Sequence, residues 1–172
     1  MVTIPDRSEA ADFYFTYISK VPAGDIRLVL ADQAGDVLTL LRGIPDERSL
    51  HRYAPGKWTI RQLVSHMNDA ERVFSFRAFW FARGFDSALA SFDQETAVPF
   101  AKADDRDWDT HLDEFAAIRA ATVALFDGLD DAAWGRRGTA SGHPVSVRAL
   151  AHICAGHVAH HVDVLRTRYL SA

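Results

Sequence analysis

The sequence predicts an all-α fold, a four-helix bundle, on three observations. Four long segments repeat their apolar residues at helical spacings of three and four. None shows the sustained period-two alternation, bounded by turn residues, that marks a strand. Three of the four long helices open on Asp25, Thr59 or Ser146, residues that satisfy free backbone N–H groups at helix starts. With 172 residues, the chain is expected to form one domain, residues 1–172, and to bury roughly 70% of its unfolded surface.

The first helical region covers residues 8–20 and breaks at Pro22-Ala-Gly-Asp25; Asp25 then caps a helix to about residue 42, ended by Gly43-Ile-Pro45. The second begins after Thr59 and runs to about Arg83, with Gly84 as its stop. Its inward stripe is Ile60, Leu63, His66/Met67, Ala70, Val73/Phe74 and Trp80/Phe81, which His66 interrupts. A long connection, 85–105, carries one short helix near 93–100; such connections commonly cover a site. The third helix spans about 107–129, with Trp108, Phe115, Ile118, Val123 and Phe126 partly buried, and a Gly-rich turn region follows at 127–144. The fourth starts at Ser146 and continues to about Tyr169, with Val147, Leu150, Cys154, His157, His161, Val164 and Arg168 along its stripe.

A short internal repeat links two of these helices. Thr59-Ile-Arg-Gln-Leu-Val aligns with Ser146-Val-Arg-Ala-Leu-Ala, each an N-cap, a β-branched residue, an arginine and a leucine. The match favours a bundle made of two helix pairs.

Charge and composition narrow the function classes. A net charge of -4 gives no electrostatic reason to bind nucleic acid. The one cysteine excludes an internal disulfide and fits a reducing cytoplasm. The N-terminus lacks the pattern of a signal peptide, and no stretch is apolar for long enough to span a membrane.

The histidines carry the chemistry. His157 and His161 are four residues apart, on one helical face and close enough to bind a single ion, and His66 is the third inward histidine. A single buried histidine is more often a hydrogen-bonded core residue, but three on inward stripes favour a metal site. Imidazole suits Zn, Ni, Fe or Cu. His160 also has a helical spacing to His157, but it points about 100° away from the stripe that Val164 and Arg168 extend. His152 is expected to face solvent or pack between helices, and His51, His111 and His143 lack ligand spacing. No Glu forms an H-E-x-x-H pattern, which disfavours proteolysis.

Asp69, Glu71 and Asp93 are candidate bases, although such carboxylates are more often solvated, and Asp163 is a candidate to orient a ligand histidine. Cys154 is expected to be a small core hydrophobe rather than a nucleophile. Trp134, Arg136 and Arg137 could bind an anionic substrate, though a solvated turn is as consistent with them.

Lys57-Trp-Thr-Ile-Arg-Gln-Leu-Val-Ser-His66 paired with Leu150-Ala-His-Ile-Cys-Ala-Gly-His157-Val-Ala-His-His161 resembles the DinB/YfiT-like superfamily of metal-dependent enzymes, from about residue 25 to the end. The resemblance implies a four-helix bundle carrying a divalent metal on His66, His157 and His161. It also implies an activity ranging from hydrolase to thiol-dependent S-transferase or isomerase, and frequent homodimers. Phe92-Asp93-Gln94 matches the family's Asp-Gln after the second helix.

The leading expectation is a cytoplasmic enzyme with Zn or Ni on the three histidines. Its partners would be a small-molecule substrate and a low-molecular-weight thiol, the latter helped by Arg136 or Arg148. The alternative is a non-catalytic stress or ligand-binding protein whose metal only stabilises the bundle, with a fourth ligand drawn from residues 85–105.

Overall fold

The computed structural model describes residues 2–171. In chain order the helices are α1 (Phe15–Ile18), α2 (Ile26–Arg42), α3 (Asp46–Ser49), α4 (Ile60–Ala82), α5 (Gln94–Ala101), α6 (Trp108–Asp127), α7 (Asp131–Trp134) and α8 (Val147–Val164). A two-stranded antiparallel hairpin, β1 (Arg137–Ala140) and β2 (His143–Ser146), joins α7 to α8. The long helices α2, α4, α6 and α8 form the expected bundle, with α4 packed on α6 and α8 and α2 packed on the same two. Among the described residues no helix is long and apolar enough to cross a membrane.

The caps are where the sequence places them. Asp25 accepts the Arg27 N–H, Thr59 and Gln62 form a reciprocal capping box, and Ser146 Oγ accepts the Ala149 N–H at 2.9 Å. The repeated arginine does similar work in both copies. Arg61 binds Ser49 Oγ, the Asp46 carboxylate and the Arg106 carbonyl, tying down segments outside its helix. Arg148 clamps the buried carboxylate of Glu9, which also accepts the Ser146 hydroxyl at 2.7 Å.

Three expectations need correction. Residues 8–20 are not one helix but two 3₁₀ turns, Arg7–Glu9 and Asp12–Tyr14, followed by α1. Glu9 is drawn inward to Arg148 and Ser146, and Ala10 turns extended at φ -155° and ψ 162°, so this tertiary contact outweighs helix continuation.

The Gly-rich region at 137–146 is a hairpin. Ser141 and Gly142 take φ of 54° and 78°, the left-handed pair that closes a two-residue turn. Strands of four residues are too short for alternation to show.

The last helix changes register. After Val164 the chain makes a π-turn, Leu165–Tyr169, in which the Leu170 N–H reaches the Leu165 carbonyl at 3.0 Å. Leu165 and Tyr169 are buried on the face that Val158 and Val162 share, whereas Arg168 is exposed and Val164 only half-buried. The expected stripe therefore ends at His161.

The core divides in two. One apolar cluster holds Leu30, Phe74, Phe81, Phe126, Leu150 and Cys154; the other holds Val37, Leu63, Met67, Phe115, Val158 and Leu165. Between them runs a polar seam. His66 lies between Leu63 and Ala70 on the α4 stripe, and His157 between Cys154 and Val158 on α8. In the same layer Arg119 of α6 meets Glu71 of α4 through two bonds of 2.7 Å, both side chains being at most 3% exposed. Arg119 also donates to Gln33 Oε1 at 2.8 Å and to the Leu30 carbonyl at 3.1 Å on α2. Buried charge is costly unless it is paired and hydrogen-bonded in this way.

Candidate metal centre

His66, His157 and His161 converge from α4 and α8. The Nε2 atoms of His66 and His161 each lie 3.1 Å from Nε2 of His157, and all three ligand atoms fall within 4.8 Å of one another. His66 and His157 are buried, and His161 is half-buried at the outer end. His160 stays outside the cluster, with its ring centroid 5.3 Å from that of Tyr17.

The donor set fits a divalent cation. Two Zn–N bonds of about 2.05 Å at a tetrahedral angle separate their nitrogens by about 3.3 Å, close to the spacing here. Hydrogen bonding alone fits poorly, because one imidazole nitrogen has either one proton or one lone pair, while His157 Nε2 faces two neighbours. Nδ1 of His66 and of His161 is also buried with no partner among the described residues.

The rings are neutral at ordinary pH. Burial holds His66 down at about 4. It holds His161 at about 3, with the neighbouring His66 and His160 adding to it. Burial, then the nearness of His161 and His66, depresses His157 well below the usual histidine range. Neutral imidazoles keep the lone pairs that bind metals.

Two cavities adjoin the cluster. The first, about 160 Å³, is walled by Tyr14, Tyr17, Phe74 and Phe92 and reaches His66 and His157. The second, about 260 Å³, is walled by Tyr53, Trp58, Leu63 and Tyr169 and reaches His161. Gln94, at the start of α5, lines both. Its predecessor Asp93 caps α5 by accepting the Glu95 N–H at 3.0 Å, so the Asp-Gln pair sets a helix end over the histidines. Close approach of α1 completes the first wall. A Cβ on Gly156 would collide with the Tyr17 carbonyl, so glycine lets α1 rest on α8 and brings the Tyr17 ring within 5.3 Å of His157.

The other candidates are placed elsewhere. Asp69 pairs with Arg72, Glu71 with Arg119, Asp93 with its helix end and Asp163 with Lys20. None lines either cavity; the carboxylate that does is Glu95, in the second. Cys154 is 1% exposed and burial pushes its thiol well up, as suits a core residue. Trp134 stacks on Phe126 in the core, Arg136 donates to the Ala82 carbonyl, Arg137 to that of Ser8, and Arg148 to Glu9. His111 and His152 are buried in the bundle, away from the cluster; His152 therefore packs between helices instead of facing solvent.

Sequence reasoning missed Tyr17, Trp58 and Ser141, which only the fold brings to the site. Arg77 was also missed, but its signal was present: it falls on the α4 stripe, where a charge is as out of place as His66.

A family model described as the DinB superfamily matches residues 30–165. No curated protein matches the sequence. Among solved structures the chain is similar to YfiT from Bacillus subtilis, described as a probable metal-dependent hydrolase with an unusual four-helix bundle topology. The TM-score is 0.68 at 17% identity, over 94% of this chain and 91% of that one. It is also similar to a mycothiol-dependent maleylpyruvate isomerase, with a TM-score of 0.61 at 17% identity over 80% of this chain and 58% of the other. The chain thus matches little more than half of that enzyme's length. Similarity at this identity establishes the bundle fold.

Proposed function

The chain belongs to the DinB superfamily, and on that premise we propose that it is a metal-dependent enzyme holding a divalent ion, Zn or Ni, on His66, His157 and His161. The observation that carries this reading is the approach of three neutral Nε2 atoms to one point, an arrangement hydrogen bonds alone would leave unsatisfied. Once bound, the ion would supply Lewis acidity, drawing the pKa of a coordinated water or thiol toward neutrality.

The chain's own residues do the rest. Three protein ligands leave room for an exogenous one, as catalytic zinc sites do, whereas structural sites are usually closed by four. No carboxylate among the described residues joins the histidine group, so the fourth ligand considered from residues 85–105 finds no support. Tyr17, Phe74 and Trp58 surround the histidines with aromatic surface that keeps water out, and the Gln94 amide offers a donor and an acceptor where the cavities meet.

Two cavities favour group transfer over hydrolysis. Hydrolysis needs one organic ligand and water, whereas S-transfer brings a low-molecular-weight thiol and an electrophile together. The larger cavity at His161 suits the thiol and the smaller one at His66 and His157 the acceptor.

The test is elemental analysis of untagged protein, wild type beside His157→Ala. The expected result is about one Zn or Ni per chain in the wild type, lost in the variant. Absence of metal from wild type loaded with excess Zn or Ni and then desalted would sink the reading. With metal established, metal-dependent conjugation of a model electrophile to a biological thiol separates transfer from hydrolysis.

A further inference from the structure

Arg77 is 3% exposed and has no carboxylate within 4.0 Å among the described residues. The other two buried arginines among the described residues are each matched by a carboxylate, Arg119 by Glu71 and Arg61 by Asp46. Both protein hydrogen bonds of Arg77 come from Nη2, to the Ala90 carbonyl at 2.8 Å and to Ser141 Oγ at 3.0 Å. A guanidinium has five N–H donors in a planar fork. Nε and Nη1 are thus left for something else, and the side chain lines the cavity that reaches His66 and His157.

The surroundings are built to hold this arginine in place. Leu89 bridges to the hairpin, its N–H donating to the Thr139 carbonyl at 2.9 Å and its carbonyl accepting the Ser141 N–H at 3.0 Å. The bridge fixes Ala90 and Ser141, the two partners of Arg77, beside Nη2 at one end of the guanidinium. Ser141 holds a left-handed φ of 54° to present its hydroxyl there. An isolated buried cation is costly, and a matching anion removes that cost.

We propose that Arg77, with Ser141 and Gln94, forms an anion subsite in this cavity, and that its ligand is a small carboxylic acid with an apolar body. One guanidinium balances one negative charge, whereas a phosphate dianion would leave charge uncompensated between aromatic walls. The fork geometry of arginine matches the two oxygens of a carboxylate. Tyr14, Phe74 and Phe92 supply the apolar walls.

Arg77 lies eleven residues, or three turns, beyond His66 on one helix face, about 16 Å along the axis, and helical side chains lean back toward the N-terminus. The carboxylate therefore docks at the hairpin end and directs the other end of the molecule toward the histidines. That last step rests on the function proposed above; the subsite itself does not.

The experiment is calorimetric titration with benzoate and with its neutral isostere benzamide, on metal-loaded and on chelator-treated protein. Wild type, Arg77→Met and Arg77→Lys are compared, with metal content measured for each. A charge-assisted pair predicts that wild type prefers benzoate by about tenfold or more, with or without metal. Arg77→Met should lose that preference and Arg77→Lys keep part of it, with metal content unchanged.

Equal binding of the two probes by metal-free wild type would overturn the subsite, even if Arg77→Met failed to fold. So would a preference that survives in Arg77→Met, or one that vanishes when metal is removed, since the carboxylate would then sit on the ion. A benzoate preference in protein that never takes up metal would uphold the subsite and defeat the proposed function.

Discussion

The side chains that set this molecule apart are polar groups at positions where a helical bundle places Leu or Val. Glu71 and Arg119 show what such a position costs. Their two bonds of 2.7 Å sit in the seam, out of water. Glu71→Gln would leave the Arg119 guanidinium buried and short of a countercharge. We expect a loss of about 3–5 kcal/mol in urea unfolding, the range for breaking one side of a buried pair. A change below about 1 kcal/mol would put the pair in the class of exposed ion pairs. The histidines were legible in the sequence because an imidazole in an apolar stripe stands out. Glu71 was not, because charges on a long helix are mostly solvated and its partner arrives from forty-eight residues away.

At the scale of elements, the long helices could be read from the chain because cap, stripe and stop agree locally in each. What escaped the sequence was decided by contacts between elements. Glu9 leaves its helix for Arg148, the hairpin closes on a left-handed Ser-Gly pair, and Tyr169 is held at the end of the π-turn by its hydroxyl, which donates to the Trp58 carbonyl at 2.9 Å. Gly156 tests how strictly one such contact is specified. In Gly156→Ala the new methyl meets the Tyr17 backbone, which cannot rotate away, so α1 must lift from α8. The expected cost is about 1–3 kcal/mol, as for other overpacked cores, with the Tyr17 ring displaced from His157. A variant as stable as wild type, with unchanged aromatic shifts for Tyr17, would show that α1 moves freely.

For the whole molecule, buried neutral histidines make stability depend on pH. Burial lowers His111 and His152 below 6.5, in His111 against a hydrogen bond with the Ala103 carbonyl that acts the other way. Well above pH 6.5 neither the folded nor the unfolded chain protonates these rings, and they do not affect stability. As pH falls through 6.5 the unfolded chain takes up protons that the folded one refuses, so stability declines. Urea midpoints of metal-free protein should therefore be lower at pH 5 than at pH 7.5; equal midpoints would mean these rings protonate in place. The seam that houses the polar groups also bears on how such a chain can change over generations. Phe126 and Leu112 belong to different apolar clusters, so exchanges near one leave the packing around the other untouched. Each half can drift along its own path while the framework between them stays in place, which is how chains that share so few residues can keep one architecture.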